Sequence, residues 1–284
     1  MLHIVMDSAG DLPPDWIDRY QVNIIPVNIH FGDQTYLDRV DLSSEDFYRT
    51  VIESRQVPKT SQPSPHQFVD FYRKIARAGE TILSIHVTSK LSGTFESAQL
   101  AARELAGEIN VIPFDSACGS AAMGYMCQEA RELETQGKTV NEILQRLDFI
   151  RKNITIILTL DTLEFARMSG RVKALQAAIA SLLNVKPIVT LNEGVLNMSE
   201  RVRTRSKALE KVVEMLRQRV GERLINAAVV HAQDLDTASE MIATIKSSFN
   251  LNQLIQTDLS TSVAANLGPG TVGVVAYPIH QDQS

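Results

Sequence analysis

The chain contains 284 residues, of which 44% are hydrophobic and 21% are charged. This balance is typical of a folded globular protein and argues against intrinsic disorder. The net charge of −5 argues against a protein whose main ligand is a nucleic acid, because binding to a phosphate backbone requires clustered positive charge. The length allows one large domain or two modest ones, and the pattern of predicted elements favours two.

Two apolar segments and the cysteines indicate where the protein works. Residues 2–6 form a strand-like run with no basic or cleavable segment ahead of it, so we expect a cytoplasmic protein rather than a secreted one. The longest apolar run, residues 154–160, is far shorter than the roughly 18 residues of a membrane-spanning helix, so we expect at most transient contact with a membrane. Cys118 and Cys127 lack zinc or dithiol spacing, which predicts buried thiols, no metal site and a reducing compartment.

The first half of the chain alternates strand-like and helix-like patterns. Helices are predicted to start at Ser64, at Ser92 and at Thr139, where hydroxyl residues stand in capping positions. The predicted strands cover residues 2–6, 24–29, 81–87, 111–114 and 154–160. This alternation predicts a first domain, residues 1–160, with a mostly parallel sheet covered by helices.

The pattern changes after residue 160. A helix over 174–183, a hairpin that turns at 192–194 and a long helix from Thr204 are predicted. Further predicted elements are strands over 226–231, 254–261 and 272–277, with a helix over 237–249. We therefore predict an α/β protein of two domains, in which residues 161–284 form a two-layer α/β domain and a cleft between the domains holds a ligand.

Residues 268–273 have the glycine spacing of a dinucleotide-binding fingerprint. That motif must follow a strand and open a helix, whereas here a predicted strand follows it. We therefore reject this interpretation and expect no nucleotide cofactor.

Residues 88–94 join a predicted strand to a predicted helix. Backbone N–H groups and the helix dipole favour an anion at such a junction, and Gly93 would let a ligand approach the backbone closely. Residues 7–12 and 59–64 have a similar hydroxyl-rich character and can reach the same sheet edge. The alternatives are that Ser92 only caps a helix and that the other two segments are ordinary turns.

Arginine residues form a second notable group. Arg201, Arg203 and Arg205 alternate, so a strand would place them on one face, and Arg171 follows a Ser-Gly pair in a predicted loop. Such a row usually protects a solvated strand edge, and a phosphate-binding surface is the less common alternative.

Taken together, these segments resemble the DegV family, which includes the fatty-acid-binding subunits of bacterial fatty acid kinase. The resemblance spans nearly the whole chain and depends on the order and spacing of several short motifs. These motifs are Asp7-Ser8-x-x-Asp11-Leu12, Lys59-Thr60-Ser61-Gln62-Pro63, Leu91-Ser92-Gly93-Thr94-Phe95-x-Ser97-Ala98, Asp115-Ser116, Ser169-Gly170-Arg171-Val172, Arg203-Thr204-Arg205-x-Lys207-Ala208 and Gly268-Pro269-Gly270.

The resemblance implies a binding protein, not an enzyme in its own right. A fatty acid would lie between the two domains, with its head group at the first domain and its acyl chain covered by the second. A separate fatty acid kinase would then phosphorylate the carboxylate for phospholipid synthesis. We expect Arg171 and Arg203 to contact that kinase or the acyl phosphate, because bidentate guanidinium groups suit phosphate and docking surfaces. Carried over by position, Thr60 and Ser92 would bind the carboxylate, and the wider ligand-binding set is Thr60, Ser61, Ser92, Gly93, Thr94 and Asn266.

Two positions depart from the family pattern. Asn266 occupies a position where many members have histidine, and Ser169 replaces the first glycine of the usual Gly-Gly-Arg. Two other functions remain open: a serine hydrolase that uses Ser92 or Ser116 with His86 or His231 as base, and a regulatory sensor of free lipid.

Overall fold

The computed structural model describes residues 2–172 and 185–280. They divide into two compact units, the first formed by Met1–Lys152 with Ser260–Ser262 and the second by Asn153–Leu259 with Val263–Ser284. The helix predicted over 174–183 lies outside the described residues. Among those residues, no helix combines the length and the apolar character needed to cross a membrane.

The first unit is built around a parallel sheet with strand order β2-β1-β6-β7. Its strands are apolar because both faces are covered, as is usual for parallel sheets. They are β1 (Leu2–Asp7), β2 (Val22–Ile25), β6 (Thr81–His86) and β7 (Asn110–Asp115). The carboxyl ends of all four strands therefore meet at one edge of the sheet.

The first unit also contains helices, several of which pack against this sheet and bury its apolar side chains. They are α1 (Pro14–Arg19), α2 (Ser44–Ser54), α3 (Pro65–Ile75), α4 (Thr94–Glu104), α5 (Ala121–Thr135) and α6 (Val140–Asn153). Val5 and Ile82 of the sheet pack with Phe68, Tyr72 and Ala101 from α3 and α4, all fully buried. Burying such aliphatic or aromatic side chains stabilises the fold by roughly 1.5 to 3 kcal/mol each.

Three short antiparallel strands form a second sheet, in the order β4-β3-β5. They are β3 (Asn28–Phe31), β4 (Gln34–Leu37) and β5 (Lys59–Ser61). The single strand predicted over 24–29 is wrong, because β2 ends at Ile25 and β3 begins at Asn28. Pro26 lies between them, and a proline has no backbone N–H with which to continue a strand ladder.

Two of the predicted helix starts are confirmed by their caps. Ser64 and Gln67 form a reciprocal capping box at α3, and Thr139 and Glu142 do so ahead of α6. The third differs slightly, since α4 begins at Thr94 with Gly93 as its N-cap residue. These local signals were readable because each involves residues only three positions apart.

The second unit contains a mixed sheet with strand order β10-β9-β8-β13-β11-β12. Its strands are β8 (Thr155–Thr159), β9 (Lys186–Asn192), β10 (Val195–Val202), β11 (Ile225–His231), β12 (Leu251–Asp258) and β13 (Val272–Pro278). Strand β8 pairs with β9 and β13, whereas the sequence analysis placed this apolar run in the first domain. An apolar run reveals that a strand is buried on both faces, but not which sheet it joins.

The described helices of the second unit are α7 (Glu164–Ser169), α8 (Arg205–Val220), α9 (Leu235–Ser248) and α10 (Thr261–Leu267). Apolar side chains of α8 and α9 pack against the sheet in one core, which gives the predicted two-layer arrangement. The predicted common face of Arg201, Arg203 and Arg205 is wrong: β10 ends at Val202 and Arg205 is already the first residue of α8.

Candidate functional site

Asp7, the last residue of β1, holds two loops together at the carboxyl edge of the parallel sheet. The side chain is fully buried. Its Oδ1 accepts a hydrogen bond from the N–H of Ala9 (3.0 Å), and its Oδ2 accepts from the N–H of Val87 (2.9 Å). Because these N–H groups belong to the loops that follow β1 and β6, one carboxylate fixes both loops.

A chain of buried side chains continues from Asp7. Nδ1 of His86 lies 3.1 Å from Oδ2 of Asp7, and Nε2 of His86 lies 2.8 Å from the hydroxyl of Ser84. The hydroxyl of Tyr72 donates to Ser84 at 2.8 Å, and burial raises the pKa of Tyr72, which keeps it a donor. Every polar group in this chain therefore has a partner.

This chain bears directly on the hydrolase alternative. Ser84, His86 and Asp7 are the residue types of a hydrolase triad, but all three are fully buried and the serine hydroxyl is held by Tyr72. The structure therefore does not pair His86 with either predicted nucleophile. The hydroxyl of Ser116 instead donates to the carbonyl of Cys118 at 3.2 Å, and a triad requires a serine that substrate can reach.

The loop before α4 is fixed by Asp115 at the end of β7. Asp115 accepts hydrogen bonds from the N–H of Ser89 (3.2 Å), from its hydroxyl (2.5 Å) and from the N–H of Ala117 (2.9 Å). The N–H of Thr88 donates to the carbonyl of Cys118 at 2.8 Å. The position of Ser92 therefore follows from a loop that is held at several points.

Ser92 and Thr94 place two hydroxyl groups at the start of α4. Their oxygens lie 2.8 Å apart, and Oγ of Ser92 also accepts from the N–H of Thr94 at 3.3 Å. Thr94 is buried, whereas Ser92 is half-buried and accessible. The N-cap residue of α4 is Gly93, which has no side chain. Ser92 is therefore not the N-cap, and the first turn keeps the electrostatic preference for an anion.

Thr60 and Ser61 lie on opposite faces of β5. Thr60 pairs with buried Ile29, whereas Ser61 pairs with Asn28. The hydroxyl of Ser61 is 2.8 Å from Nε2 of His30 and 3.4 Å from the amide nitrogen of Asn28. The two side chains therefore cannot face the same head group, and the Ser61 hydroxyl is already used within the small sheet.

The side chain of Gln62 connects this segment to the start of α4. A Cβ atom added at Gly93 would lie 2.8 Å from Nε2 and 3.1 Å from Cδ of Gln62. The carboxamide therefore lies directly against the Gly93 backbone. The structure thus brings Gln62, the residue after β5, to Gly93 at the start of α4.

Two further carboxylates of the first unit hold residues 260–262. Oδ1 of Asp11 accepts from the N–H of Ser260 (2.8 Å), and Asp38 accepts from the hydroxyl of Thr261 (2.5 Å). Burial raises the pKa of Asp11 to about 6, although the Arg39 charge and a hydrogen bond from Ser120 act in the opposite direction. Asp11 and Asp38 were not predicted as partners of this distant segment.

Asn266 and Arg171 meet Ser169 in the second unit. The hydroxyl of Ser169 donates to the carbonyls of Asn266 (3.3 Å) and Ala166 (3.2 Å). Nη1 of Arg171 donates to the carbonyl of Ser169 at 2.7 Å. Ser169 therefore links two of the sequence-predicted residues, and a role for Asn266 in ligand binding stays a prediction.

Arg205, not Arg203, is held within the second unit. Nη2 of Arg205 donates to Oδ2 of Asp234 (2.7 Å) and to the carbonyl of Gly270 (2.6 Å). Burial alone would raise the pKa of Asp234, but hydrogen bonds from Thr237 and the Arg205 charge outweigh it and lower that pKa. Arg203 is exposed. Gly270 has a φ of +74°, which glycine adopts without strain, so this segment is a turn and opens no helix.

The remaining reactive groups are buried or unsuited to metal binding. Burial raises the pKa of the Cys118 thiol to about 12 and also raises that of Cys127, so neither is a thiolate near neutral pH. Across residues 2–172 and 185–280, no cluster of His, Cys, Asp and Glu side chains is arranged to hold a metal ion.

Comparison with known proteins identifies the family. The family model described as "uncharacterised protein, DegV family" matches residues 1–279. The chain belongs to the DegV family. Protein DegV from Bacillus subtilis is 31% identical over 273 residues, which is 95% of this chain and 97% of that protein.

Solved DegV structures share the fold. A DegV family protein from Thermus thermophilus, for which fatty acid binding is described, superposes with a TM-score of 0.88 at 32% identity and covers 98% of this chain and 99% of that one. DegV from Bacillus subtilis, a fatty acid binding protein, has a TM-score of 0.85 at 29% identity and covers 98% and 99%. The resemblance to the DegV family and the two-part α/β fold are thereby confirmed.

Proposed function

We propose that this DegV protein binds one long-chain fatty acid and that the hydroxyls of Thr60 and Ser92 hold its carboxylate, next to Gly93 and Thr94. The observation that supports this most is the half-buried Ser92 hydroxyl at the start of α4, a helix without a side-chain cap. Hydroxyl donors and an uncapped helix start both favour a carboxylate. The fatty acid binding of similar DegV proteins supports the same ligand class.

Most of the affinity would come from the acyl chain. Burial of about fourteen methylenes at roughly 0.8 kcal/mol each contributes about 11 kcal/mol before the cost of binding. A hydrogen bond to a charged group contributes about 1.5 to 3 kcal/mol. The head-group contacts would therefore orient the ligand, and the acyl chain would hold it.

Native mass spectrometry of protein purified from cells tests this proposal. We expect about one fatty acid per chain, released on denaturation, and renewed binding of added fatty acid after delipidation. Protein that carries no lipid and binds no added fatty acid would contradict the proposal.

We further propose that the protein acts in the cytoplasm and presents the bound carboxylate to a separate ATP-using kinase for acyl phosphate formation, a step toward phospholipid synthesis. Arg203 is exposed just after β10 and suits a docking surface or a phosphate, since guanidinium groups bind phosphate in a bidentate manner. Arg171 is the second candidate, although one of its nitrogens is bonded to Ser169.

The arginine proposal predicts a separation of binding from phosphoryl transfer. Replacement of both Arg171 and Arg203 by alanine should leave fatty-acid affinity within about twofold and lower the rate of phosphorylation by a partner kinase roughly tenfold. Full phosphorylation of the double variant would rule out this role. Binding without phosphorylation by any partner would instead favour a lipid sensor.

A further inference from the structure

Gly93 is not required by the conformation of its own backbone. Its φ of −78° and ψ of 5° are accessible to any amino acid. What a side chain at this position would meet is the carboxamide of Gln62, with its Nε2 only 2.8 Å from an added Cβ. The space that glycine leaves here is therefore occupied by Gln62.

The backbone on both sides of Gln62 is fixed. Its carbonyl accepts a hydrogen bond from the amide group of Asn28 at 3.2 Å. The residue before it ends β5, and Ser64, two residues later, caps α3. The backbone position from which the Gln62 side chain extends is consequently fixed, although the side chain itself is exposed.

The Gln62 carboxamide has unused hydrogen-bonding capacity. In the described part of the chain it makes no hydrogen bond, while it lies against Gly93 at the start of α4. A carboxamide presents two N–H donors, and a carboxylate accepts them. A carboxamide donor beside the start of a helix is well placed for an anionic head group.

We propose that the Gln62 carboxamide is a specificity-determining contact for the fatty-acid carboxylate, and that Gly93 is small in order to leave room for it. This inference rests on the proposed fatty acid binding and adds a third donor to Thr60 and Ser92. It also assigns Gly93 a role different from direct contact between ligand and backbone.

A charge substitution provides the first experiment. Affinities of delipidated variants for decanoate and for 1-decanol would be measured by isothermal titration calorimetry at pH 7.5. Gln62→Glu keeps the size of the side chain, removes its donors and adds a negative charge, so decanoate affinity should fall roughly tenfold or more while 1-decanol affinity changes less than about threefold.

Gln56→Glu is the matched control. Gln56 is also an exposed glutamine whose side chain lies near a glycine, with Oε1 3.8 Å from a Cβ added at Gly32. The Gln56→Glu substitution adds the same charge six positions earlier in the chain. It should change decanoate affinity by less than about twofold, because screening weakens distant charges. Equal losses in both variants, or no loss in Gln62→Glu, would overturn the inference.

A double-mutant cycle provides the second experiment. Gly93→Ala displaces only the end of a flexible, exposed side chain, so this variant should fold normally. It should weaken decanoate binding in the wild-type background but have less than about twofold effect in a Gln62→Ala background. An equal loss in both backgrounds would mean that the ligand contacts residue 93 directly and would overturn the Gln62 assignment. Wild-type protein that binds no fatty acid at all would instead overturn the proposed function itself.

Discussion

One edge of each main sheet uses similar residue types in a different way. At the edge of the parallel sheet, the buried side chain of Asp7 accepts three hydrogen bonds and fixes the loops that follow β1 and β6. Ser92, farther along the second of these loops, stays half-buried. At the edge of the mixed sheet, Arg205 and Asp234 bind each other, and Arg205 also binds the turn at Gly270. The first edge holds its loops from the interior, and the second holds its turn by a partly exposed ion pair.

The difference shows that polar residues at a sheet edge do not by themselves form a site. A polar group is available to a ligand only if other groups hold its loop in place. Ser92 meets this condition because Asp7 and Asp115 support the loop that precedes it. Arg205 is held as well, but it is not available to a ligand in the same way, since its guanidinium already binds Asp234 and the Gly270 carbonyl.

Replacement of Asp7, which supports the loops at the edge of the parallel sheet, should have the largest effect on stability. Asp7→Ala removes the acceptor of two backbone N–H groups and of His86 in a fully buried place, so the free energy of unfolding should fall by about 4 kcal/mol. Asp234→Ala, in a partly exposed pair, should cost only about 1 kcal/mol. Urea denaturation at pH 7 measures both, and equal losses would remove the contrast between the two edges.

The titration of Asp11 should have the next largest effect on stability. Because burial raises its pKa from 3.8 to about 6, the folded state binds more protons than the unfolded state between these values. The free energy of unfolding should therefore fall as the pH rises from 4 to 6, by about 2 kcal/mol from this group. Asp11→Asn should lack this loss, as denaturation curves at several pH values would show.

Asp46 is the control for this experiment. A hydrogen bond from Ser43 and the charge of Arg49 lower the pKa of this exposed carboxyl, so its contribution has the opposite sign and is lost as the pH falls. A wild-type stability that rises from pH 4 to 6 relative to Asp11→Asn would contradict the assignment.

The two faces of β5 should differ in ligand binding. Replacement of both Thr60 and Ser92 by alanine should lower fatty-acid affinity about a hundredfold or more with little loss of stability, because two hydroxyl donors to a charged group are lost. Ser61→Ala should change affinity less than about twofold, since the Ser61 side chain faces His30 and Asn28. Competition with a fluorescent fatty acid measures both, and the reverse order would place the head group on the Ser61 face.

Replacement of Ser169, in the second unit, should have the smallest effect on stability. Ser169→Ala removes a half-buried hydroxyl that donates to the carbonyls of Ala166 and Asn266, and should cost about 1 kcal/mol of unfolding free energy. Ser247→Ala, which removes an exposed hydroxyl bonded to Thr244 in α9, should cost less than about 0.5 kcal/mol and serves as control. Equal small losses would show that the Ser169 contacts do not stabilise the edge.

The sequence predicted those features whose partners lie close along the chain. Ser64 with Gln67 fixed the start of one helix, and the turn at 192–194 fixed a hairpin, which β9 and β10 confirm. The two-domain α/β class followed from the rhythm of strands and helices. The same rhythm did not show to which sheet residues 154–160 belong, because strand pairing is decided by partners that are distant along the chain.

The candidate site was predictable in its segments but not in its side-chain directions. A strand of three residues, such as β5, is too short for its sequence to show alternation, so Thr60 and Ser61 looked equivalent. Gln62 gave no signal because a polar residue beside a proline is typical of turns. The bond between Asp11 and Ser260 joins residues 249 positions apart, beyond the range of any local pattern.

The membership of Ser260–Ser262 in the first unit has a consequence for biosynthesis. The ribosome synthesises residues 1–152 first. The groups that donate hydrogen bonds to Asp11 and Asp38 belong to Ser260 and Thr261, which are synthesised more than a hundred residues later. The nascent first unit must wait for them with two buried carboxylates incompletely bonded, which favours an open or chaperone-bound intermediate. A gene fragment ending at Lys152 would for the same reason encode a less stable protein than its compact sheet suggests.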